Sequence, residues 1–205
     1  MDDRQIRDEC LTIFIAGHET TAVALTWSWY LLASREDVRE RLHVEVDEVL
    51  HGGRVATLDD LPALPFTRAL FDEAMRLYPP AIGVVRKTVG DIALGGYAIP
   101  AGTLVFVSIA NIHRHAEFWT DPDSFQPERF LPGGKTPGHR LAYMPFGAGP
   151  RVCLGNHFAT AEGVLLLANL ARQFRLDPPP GLRVEPEIVL TLRPKGGLKM
   201  RISAR

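Results

Sequence analysis

Apolar residues recur at helical spacing over four long stretches of the chain. This pattern predicts helices over residues 3–33, 36–50, 65–77 and 156–174. A Gly-Gly pair follows the second stretch and a Pro-Pro pair follows the third, as expected where helices end. A shorter helix is predicted over residues 111–120. The chain is therefore predicted to be mainly α-helical.

Between residues 81 and 107 the pattern becomes strand-like, with short runs of β-branched and aromatic residues separated by Gly and Pro turns. Near the C-terminus, two further apolar runs, 188–192 and 198–202, flank a Lys-Gly-Gly sequence at 195–197. We predict that these two runs pair as a β-hairpin. Small β-sheets thus complete a fold that is mainly α.

The composition is that of an ordinary soluble globular protein, with 46% hydrophobic residues and a formal net charge of −1 over 205 residues. A chain of this length can form one substantial core, and we expect residues 1–205 to be a single domain. A charge so close to zero creates no field that attracts nucleic acid, so no nucleic-acid partner is expected.

The two cysteines, Cys10 and Cys153, are far apart and form no C-x-x-C pattern. This argues against a disulfide framework and indicates a reducing compartment, so we expect the protein in the cytoplasm. The first residues also lack the basic-then-apolar order of a secretion leader. Cys10 lies in an apolar helical pattern and is expected to be a small buried residue.

The first predicted helix is apolar enough over residues 11–33 for a membrane span to be considered. His18 and Glu19 lie near the middle of that stretch. A carboxylate at the centre of a bilayer costs about 2.5–3.5 kcal/mol on insertion scales. A core helix with a functional polar cluster is therefore the better interpretation, and no membrane span is expected.

The stretch from Phe146 to Gly155 places Cys153 in a glycine-rich loop directly before the last predicted helix. Glycine lets a backbone approach a flat ligand closely because it has no Cβ atom. The positive end and the free N–H groups of the following helix stabilise a thiolate. Cys153 is therefore a candidate nucleophile or metal ligand, and the alternative is a buried, inert cysteine after a tight turn.

Five positions of this loop carry a resemblance to a known family. They are Phe146, Gly149, Arg151, Cys153 and Gly155, in the order F-x-x-G-x-R-x-C-x-G. This stretch resembles the haem-ligand loop of the cytochrome P450 family, in which a Cys thiolate binds the haem iron. The resemblance implies the cytochrome P450 fold, with haem b (iron protoporphyrin IX) as the cofactor and Cys153 as the metal ligand. It also implies cofactor contacts from neighbouring residues: Phe146, Gly147, Arg151, Gly155 and Ala159.

A second motif, Ala-Gly-His-Glu-Thr-Thr at residues 16–21, lies in the middle of the first helix. Glycine at this position lowers the stability of a helix by about 1 kcal/mol relative to alanine, so a specific role for it is expected. The motif resembles the family's A/G-G-x-D/E-T-T sequence over the distal face of the haem. The resemblance implies that Ala16 and Gly17 make room for dioxygen, that Thr20 binds it and that Glu19 relays protons. The alternative is a capped kink with satisfied polar groups.

A third motif places Glu73 and Arg76 one turn apart on the third helix. Such a pair is common and weak evidence by itself. Its position upstream of a Pro-Glu-Arg-Phe segment at 127–130 makes it more specific. The resemblance implies a buried structural ion network formed by Glu73, Arg76 and Arg129.

Other candidates also follow from the resemblance. Arg86 occupies a position where many family members place a partner of a haem propionate, and a guanidinium suits a carboxylate. The alternative is a surface arginine on an edge strand. The residues expected to line the substrate are Phe14, Ile15, Ala81, Ile82, Val84 and Leu190. His113 and His115 look like a metal pair, but no third ligand follows at zinc spacing, so both are interpreted as structural.

The resemblance runs through nearly the whole chain, but it covers only the C-terminal half of the family pattern, from the central distal helix to the C-terminal hairpin. The N-terminal half of the fold, with the roof over the substrate, is therefore expected to be absent. Apolar surface of the first helix is then expected to be exposed. Such a patch favours a homo-oligomer or a partner chain that covers it.

The function implied by the resemblance is that of a haem-thiolate monooxygenase, complete or as its catalytic half. It would activate dioxygen to hydroxylate an apolar organic substrate such as a fatty acid. The electrons would come from a ferredoxin or a flavoprotein reductase. Two alternatives are open: a peroxide-dependent relative, against which Glu19 and Thr20 argue, and a non-catalytic haem-binding or interaction protein.

Overall fold

The computed structural model describes all residues from 1 to 205 and contains five α-helices and four short 3-10 helices. The α-helices are α1 (Asp3–Ala33), α2 (Glu36–Val49), α3 (Pro65–Leu77), α4 (Ile109–Ile112) and α5 (Asn156–Gln173). The four longer helices match the predicted stretches to within one residue at each end. None of the helices combines the length and the apolar composition that a bilayer crossing requires.

Side-chain hydrogen bonds cap the first turns of two of these helices. The carboxylate of Asp2 accepts from the backbone N–H of Gln5 at 2.8 Å, and the Gln5 side chain accepts from the N–H of Asp2 at 3.0 Å. This reciprocal cap starts α1. At the first turn of α3, the N–H groups of Phe66 and Thr67 donate to the carboxylate of Glu45 at 2.7 and 2.8 Å. The side chain of Glu45 in α2 therefore caps α3, and its negative charge is attracted by the positive end of that helix.

Eight strands form four antiparallel pairs around the helices. The pairs are β1 (Gly83–Lys87) with β4 (Leu104–Ser108), β2 (Ile92–Leu94) with β3 (Tyr97–Ile99), β5 (Phe174–Asp177) with β8 (Arg201–Ala204), and β6 (Pro186–Ile188) with β7 (Leu192–Pro194). In the longest pair, Gly83 lies opposite Ser108 and Lys87 lies opposite Leu104. The prediction of a mainly α fold with small β-sheets is confirmed.

The predicted C-terminal hairpin is wrong in its pairing. β6 pairs with β7, so the turn of the hairpin lies at residues 189–191 rather than at 195–197. Gly196 and Gly197 do form a turn, with φ angles of 73° and 82°. The strand that follows them pairs with β5, at the end of α5. A turn sequence indicates a reversal of the chain, but not which strands pair across it.

The predicted helix over residues 111–120 is also wrong, because α4 ends at Ile112. Continuing the helix would require the carbonyl of His113 to accept from an N–H four residues later. That carbonyl instead accepts from Nη1 of Arg76, at 2.8 Å. A distant buried side chain thus replaces the helical bond.

One hydrophobic core of 21 buried residues joins the C-terminal half of α1 to α2, α3 and α5. Residues 1–18, by contrast, are all exposed. The prediction that Cys10 is buried is therefore wrong: its side chain is exposed because the core covers only the other half of this helix. The polar motif at residues 16–21 lies where the exposed and buried halves of α1 meet.

α5 packs against α3 at Gly163, where a Cβ atom would overlap the ring of Phe71. Phe71 is 1% exposed and belongs to the hydrophobic core. Gly163→Ala is expected to lower the free energy of unfolding by about 1–3 kcal/mol, because an extra methyl group in a packed core displaces its neighbours. Urea unfolding followed by circular dichroism measures the change.

The matched control for this prediction is Gly17→Ala in α1. A Cβ atom at Gly17 meets nothing within 4 Å. Alanine is the better helix former by about 1 kcal/mol, so this variant is expected to be as stable as the parent or slightly more stable. Equal losses in the two variants would show that close packing at Gly163 is not the cause.

Candidate functional site

The loop that carries Cys153 is closed by its own backbone. The N–H of Cys153 donates to the carbonyl of Phe146 at 3.0 Å, and the N–H of Val152 donates to the carbonyl of Gly149 at 3.0 Å. Gly147 and Gly149 have φ angles of 74° and 77°, which residues with a side chain rarely adopt. The glycines thus stand where the chain turns, and the turns hold Cys153 directly before the first turn of α5.

His113 connects this loop to the rest of the fold. Its ring is fully buried, and Nε2 accepts from the N–H of Met144 at 2.9 Å. The N–H of Gly147 in turn donates to the carbonyl of Met144 at 2.9 Å. Burial lowers the pKa of His113 to about 4, which keeps the imidazole neutral and able to accept this bond. His113 therefore has a structural role, and no group of His, Cys, Asp or Glu side chains is arranged to hold a metal ion.

Glu73, Arg76 and Arg129 lie together in the interior. Glu73 and Arg76 are both 0% exposed and form a two-point pair, with Nε–Oε2 and Nη2–Oε1 distances of 2.7 and 2.8 Å. Nε of Arg129 lies 3.4 Å from Oε1 of Glu73. Arg76 also donates to three backbone carbonyls, those of His113, Pro122 and Ser124. The three charged groups thus hold the segment whose histidine supports the Cys153 loop.

The polar residues in the middle of α1 make two different contacts. The hydroxyl of Thr20 donates to the carbonyl of Ala16, one turn back, at 2.7 Å. Oε1 of Glu19 accepts from the hydroxyl of Thr191 at 2.8 Å. Thr191 is 3% exposed and lies at the turn between β6 and β7. The sequence analysis missed this residue because no pattern in an apolar run indicates a contact 172 positions away.

A groove of about 430 Å³ runs between α1, the segment after α3 and the turn between β6 and β7. Six residues of the sequence-based prediction line it: Ile15, Ala16, Glu19, Thr20, Ala81 and Leu190. Three lining residues were missed: Thr12, Pro80 and Thr191. The structure therefore brings the predicted catalytic pair together with part of the predicted substrate-lining set.

Three other residues predicted to line the substrate lie outside this groove. Phe14 is 67% exposed and stacks on His18, with ring centroids 5.8 Å apart. Ile82 and Val84 are half-buried at the start of β1. Val84 lies beside the Cys153 loop, since a Cβ atom on Gly147 would be 3.9 Å from its Cγ1 atom. The role of these three residues stays a prediction.

Two of the predicted cofactor-binding residues are exposed arginines. Arg86 lies on β1, and its Nη1 donates to the neighbouring carbonyl of Val85 at 2.9 Å. Arg151 lies within the loop itself. The guanidinium groups of Arg86 and Arg151 are therefore accessible to an acidic ligand.

Ala159 is half-buried in the first turn of α5, where its N–H donates to the carbonyl of Gly155 at 2.8 Å.

These residues fit a haem. The thiol of Cys153 is free and exposed, as an iron ligand must be before the haem binds. A Cβ atom at Gly149 would meet nothing within 4 Å, so the loop leaves open space at its turn. The guanidinium groups of Arg86 and Arg151 suit the two propionate carboxylates of the cofactor. One cysteine and two guanidinium groups thus suit an iron porphyrin that carries two acidic arms.

Comparisons with known proteins identify the family of this chain. A family model described as Cytochrome P450 matches residues 1–200. Cyclooctatin synthase of Streptomyces melanosporofaciens is 42% identical over 200 residues, which cover 98% of this chain and 43% of that protein. Pentalenene oxygenase of Streptomyces avermitilis is 37% identical over 205 residues, which cover 100% of this chain and 45% of that protein. The chain thus spans less than half the length of these curated relatives.

The fold leads to the same family. The crystal structure of a cytochrome P450 named CYP102L1 matches this chain with a TM-score of 0.92 and 35% sequence identity. The match covers 100% of this chain and 46% of that one. Sequence motifs, fold and donor set therefore agree along the chain, and the chain belongs to the cytochrome P450 family.

Proposed function

We propose that this chain is the haem-binding, catalytic part of a haem-thiolate monooxygenase and that residues 1–205 act as one domain. The observation that carries the proposal is Cys153, a free thiol in a glycine loop that its own backbone closes. Membership of the cytochrome P450 family supports this role, because a Cys thiolate is the iron ligand of that family.

The proposed cofactor is haem b. A Cys-ligated haem supplies the activation of dioxygen, because the thiolate donates electron density that favours O–O cleavage. Cys153 would bind the iron, while Arg86 and Arg151 would each bind a carboxylate through two N–H groups. The remaining contacts are proposed to come from the loop, α5 and α1: Phe146, Gly147, Gly155, Ala159 and Ala16.

Glu19 and Thr20 are the proposed catalytic residues. Both line the groove, at the point where α1 enters the core. Thr20 donates its proton to its own helix, so the lone pairs of its oxygen stay free to accept a hydrogen bond in the groove. Glu19 accepts one hydrogen bond from Thr191 and keeps other acceptor sites for water. The pair is therefore suited to hold a proton and to pass it on.

The substrate we propose is a neutral, apolar organic molecule. The lining of the groove contains one carboxylate, that of Glu19, and no Lys or Arg. A substrate carboxylate in the groove would therefore meet a like charge without a cation to balance it. The names pentalenene oxygenase and cyclooctat-9-en-7-ol 5-monooxygenase, carried by two relatives, support an uncharged substrate. The fatty acid expected from the sequence would have to keep its carboxylate outside this groove.

The electrons are proposed to come from a ferredoxin or a flavoprotein reductase. Hydroxylation by dioxygen consumes two electrons that no residue of the chain supplies. Both cysteines are free, which supports a reducing compartment, and we propose the cytoplasm.

The exposed half of α1 supports a further proposal, that the purified chain is a homo-oligomer. Leu11, Phe14 and Ile15 are 50%, 67% and 53% exposed, and their spacing of three and four residues places them on one face of the helix. In a purified sample, a second copy of the chain can pack against this apolar patch and remove it from water. Multi-angle light scattering is expected to give a molar mass above that of one chain. A monodisperse monomer at all concentrations would contradict this expectation.

The proposed activity is tested by reconstituting the purified chain with hemin and recording the absorption spectrum of its reduced, carbon monoxide-bound form. A red-shifted thiolate band is expected, and pentalenene is expected to be hydroxylated when NAD(P)H and a ferredoxin with its reductase are supplied. Absence of the band would overturn the proposal in favour of a non-catalytic protein. Product formed with hydrogen peroxide but not with NAD(P)H would instead identify a peroxide-dependent enzyme.

A further inference from the structure

The turn between β6 and β7 is fixed to two separate parts of the chain. Nε1 of Trp27 donates to the carbonyl of Leu192 at 2.6 Å in the buried interior. The N–H of Leu192 donates to the carbonyl of Pro80 at 2.9 Å. Within the turn, the N–H of Val189 donates to the carbonyl of Thr191 at 3.2 Å. The backbone of Thr191 is thus held by α1 and by the segment that follows α3.

This anchoring brings one hydroxyl group against Glu19. Thr191 is 3% exposed, and its Oγ1 lies 2.8 Å from Oε1 of Glu19. Glu19 forms no ion pair. The hydroxyl of Thr191 is the side-chain donor that binds its carboxylate. Because the hairpin sets the position of this donor, the carboxylate is oriented from outside its own helix.

We propose that Thr191 is a positioning residue that fixes the Glu19 carboxylate in the groove. The inference rests on the function proposed above. Proton transfer requires the donor and the acceptor within hydrogen-bond reach, and small misplacements cost much of the rate. With Glu19 misplaced, we expect a larger share of the electrons to be lost as hydrogen peroxide, which forms from dioxygen with two electrons and two protons, instead of yielding product. Thr191 therefore determines how much of the supplied NAD(P)H yields hydroxylated product.

Three variants separate the hydroxyl from the shape of the side chain. Thr191→Val keeps the size and removes the donor, whereas Thr191→Ser keeps the donor. Thr26→Val is the control, since it makes the same substitution in α1 and removes a hydroxyl that donates to the carbonyl of Ala22 at 2.7 Å. Thr26 does not line the groove.

The first readout is isotope-edited infrared spectroscopy of the chain labelled with ¹³C-glutamate, which requires no turnover. The carboxylate band of Glu19 is identified as the band lost in Glu19→Gln. This band is expected to shift in Thr191→Val and to return to its original position in Thr191→Ser. A band that does not move in Thr191→Val would overturn the proposal, whatever the turnover measurements show.

The second readout is the ratio of product formed to NAD(P)H consumed in the reconstituted enzyme. The ratio is expected to fall about tenfold in Thr191→Val, to recover in Thr191→Ser and to stay unchanged in Thr26→Val. The dissociation constant of the substrate is expected to stay within about twofold of the parent value, because no contact with an apolar substrate is removed. An unchanged ratio, or equal losses in the Val and Ser variants, would overturn the proposal. If the proposed function itself were wrong, the parent protein would lack the thiolate band. This result distinguishes failure of the proposed function from failure of the role of Thr191.

Discussion

Cys153→Ala is expected to abolish the red-shifted band of the reduced, carbon monoxide-bound protein and all NAD(P)H-driven product. Alanine offers no donor atom, and the loop contains no other sulfur, nitrogen ligand or carboxylate side chain. Because the Cys153 side chain is exposed and lies outside the core, its removal is expected to leave the fold intact. Far-ultraviolet circular dichroism and the absorption spectrum, recorded on the same sample, measure the two expectations.

Cys10→Ala is the matched control, because Cys10 is the second free and exposed cysteine of the chain. It lies on the half of α1 that the core does not cover. This variant is expected to retain the full band, since neither the glycine loop nor α5 is changed. A band that persists in Cys153→Ala, or one that disappears in Cys10→Ala, would contradict the assignment of the iron ligand.

The parts of the fold that were predictable from the sequence are those set by neighbouring residues. α1 and α3 begin and end where the apolar spacing and the proline pair indicate. The Cys153 loop was also recognisable, because two of its glycines, Gly147 and Gly149, are required by the turns that the same ten residues make. In both cases the information lies within a short window of the chain.

The parts that failed depend on contacts between distant residues. α4 is short because Arg76 binds the carbonyl of His113, 37 positions away. The last strand pairs with β5 rather than with its neighbour in sequence. Thr191 contacts Glu19 across 172 positions, and nothing near either residue indicates the other. No local pattern encodes which distant partner occupies a hydrogen-bonding group, so these features required the structure.

Arg76→Met is expected to lower the free energy of unfolding by about 3–5 kcal/mol, a large fraction of the 5–15 kcal/mol that is typical of a folded protein. The variant keeps an apolar side chain of similar length but leaves the carboxylate of Glu73, which is 0% exposed, without its two-point partner. It also removes the donor of three backbone carbonyls. Urea unfolding of the parent and the variant measures the loss.

Arg193→Met provides the comparison, because Arg193 and Glu187 form an Arg–Glu pair at 3.2 Å whose side chains are 46% and 37% exposed. Water solvates each partner when the other is removed, so Arg193→Met is expected to lower the free energy of unfolding by about 1 kcal/mol or less. The double variant Glu73→Gln, Arg76→Met is expected to be more stable than the sum of the two single losses predicts, since Arg129 is then the one charge of the network that lacks a carboxylate partner. Equal losses in Arg76→Met and Arg193→Met would show that burial does not set the energy of this network.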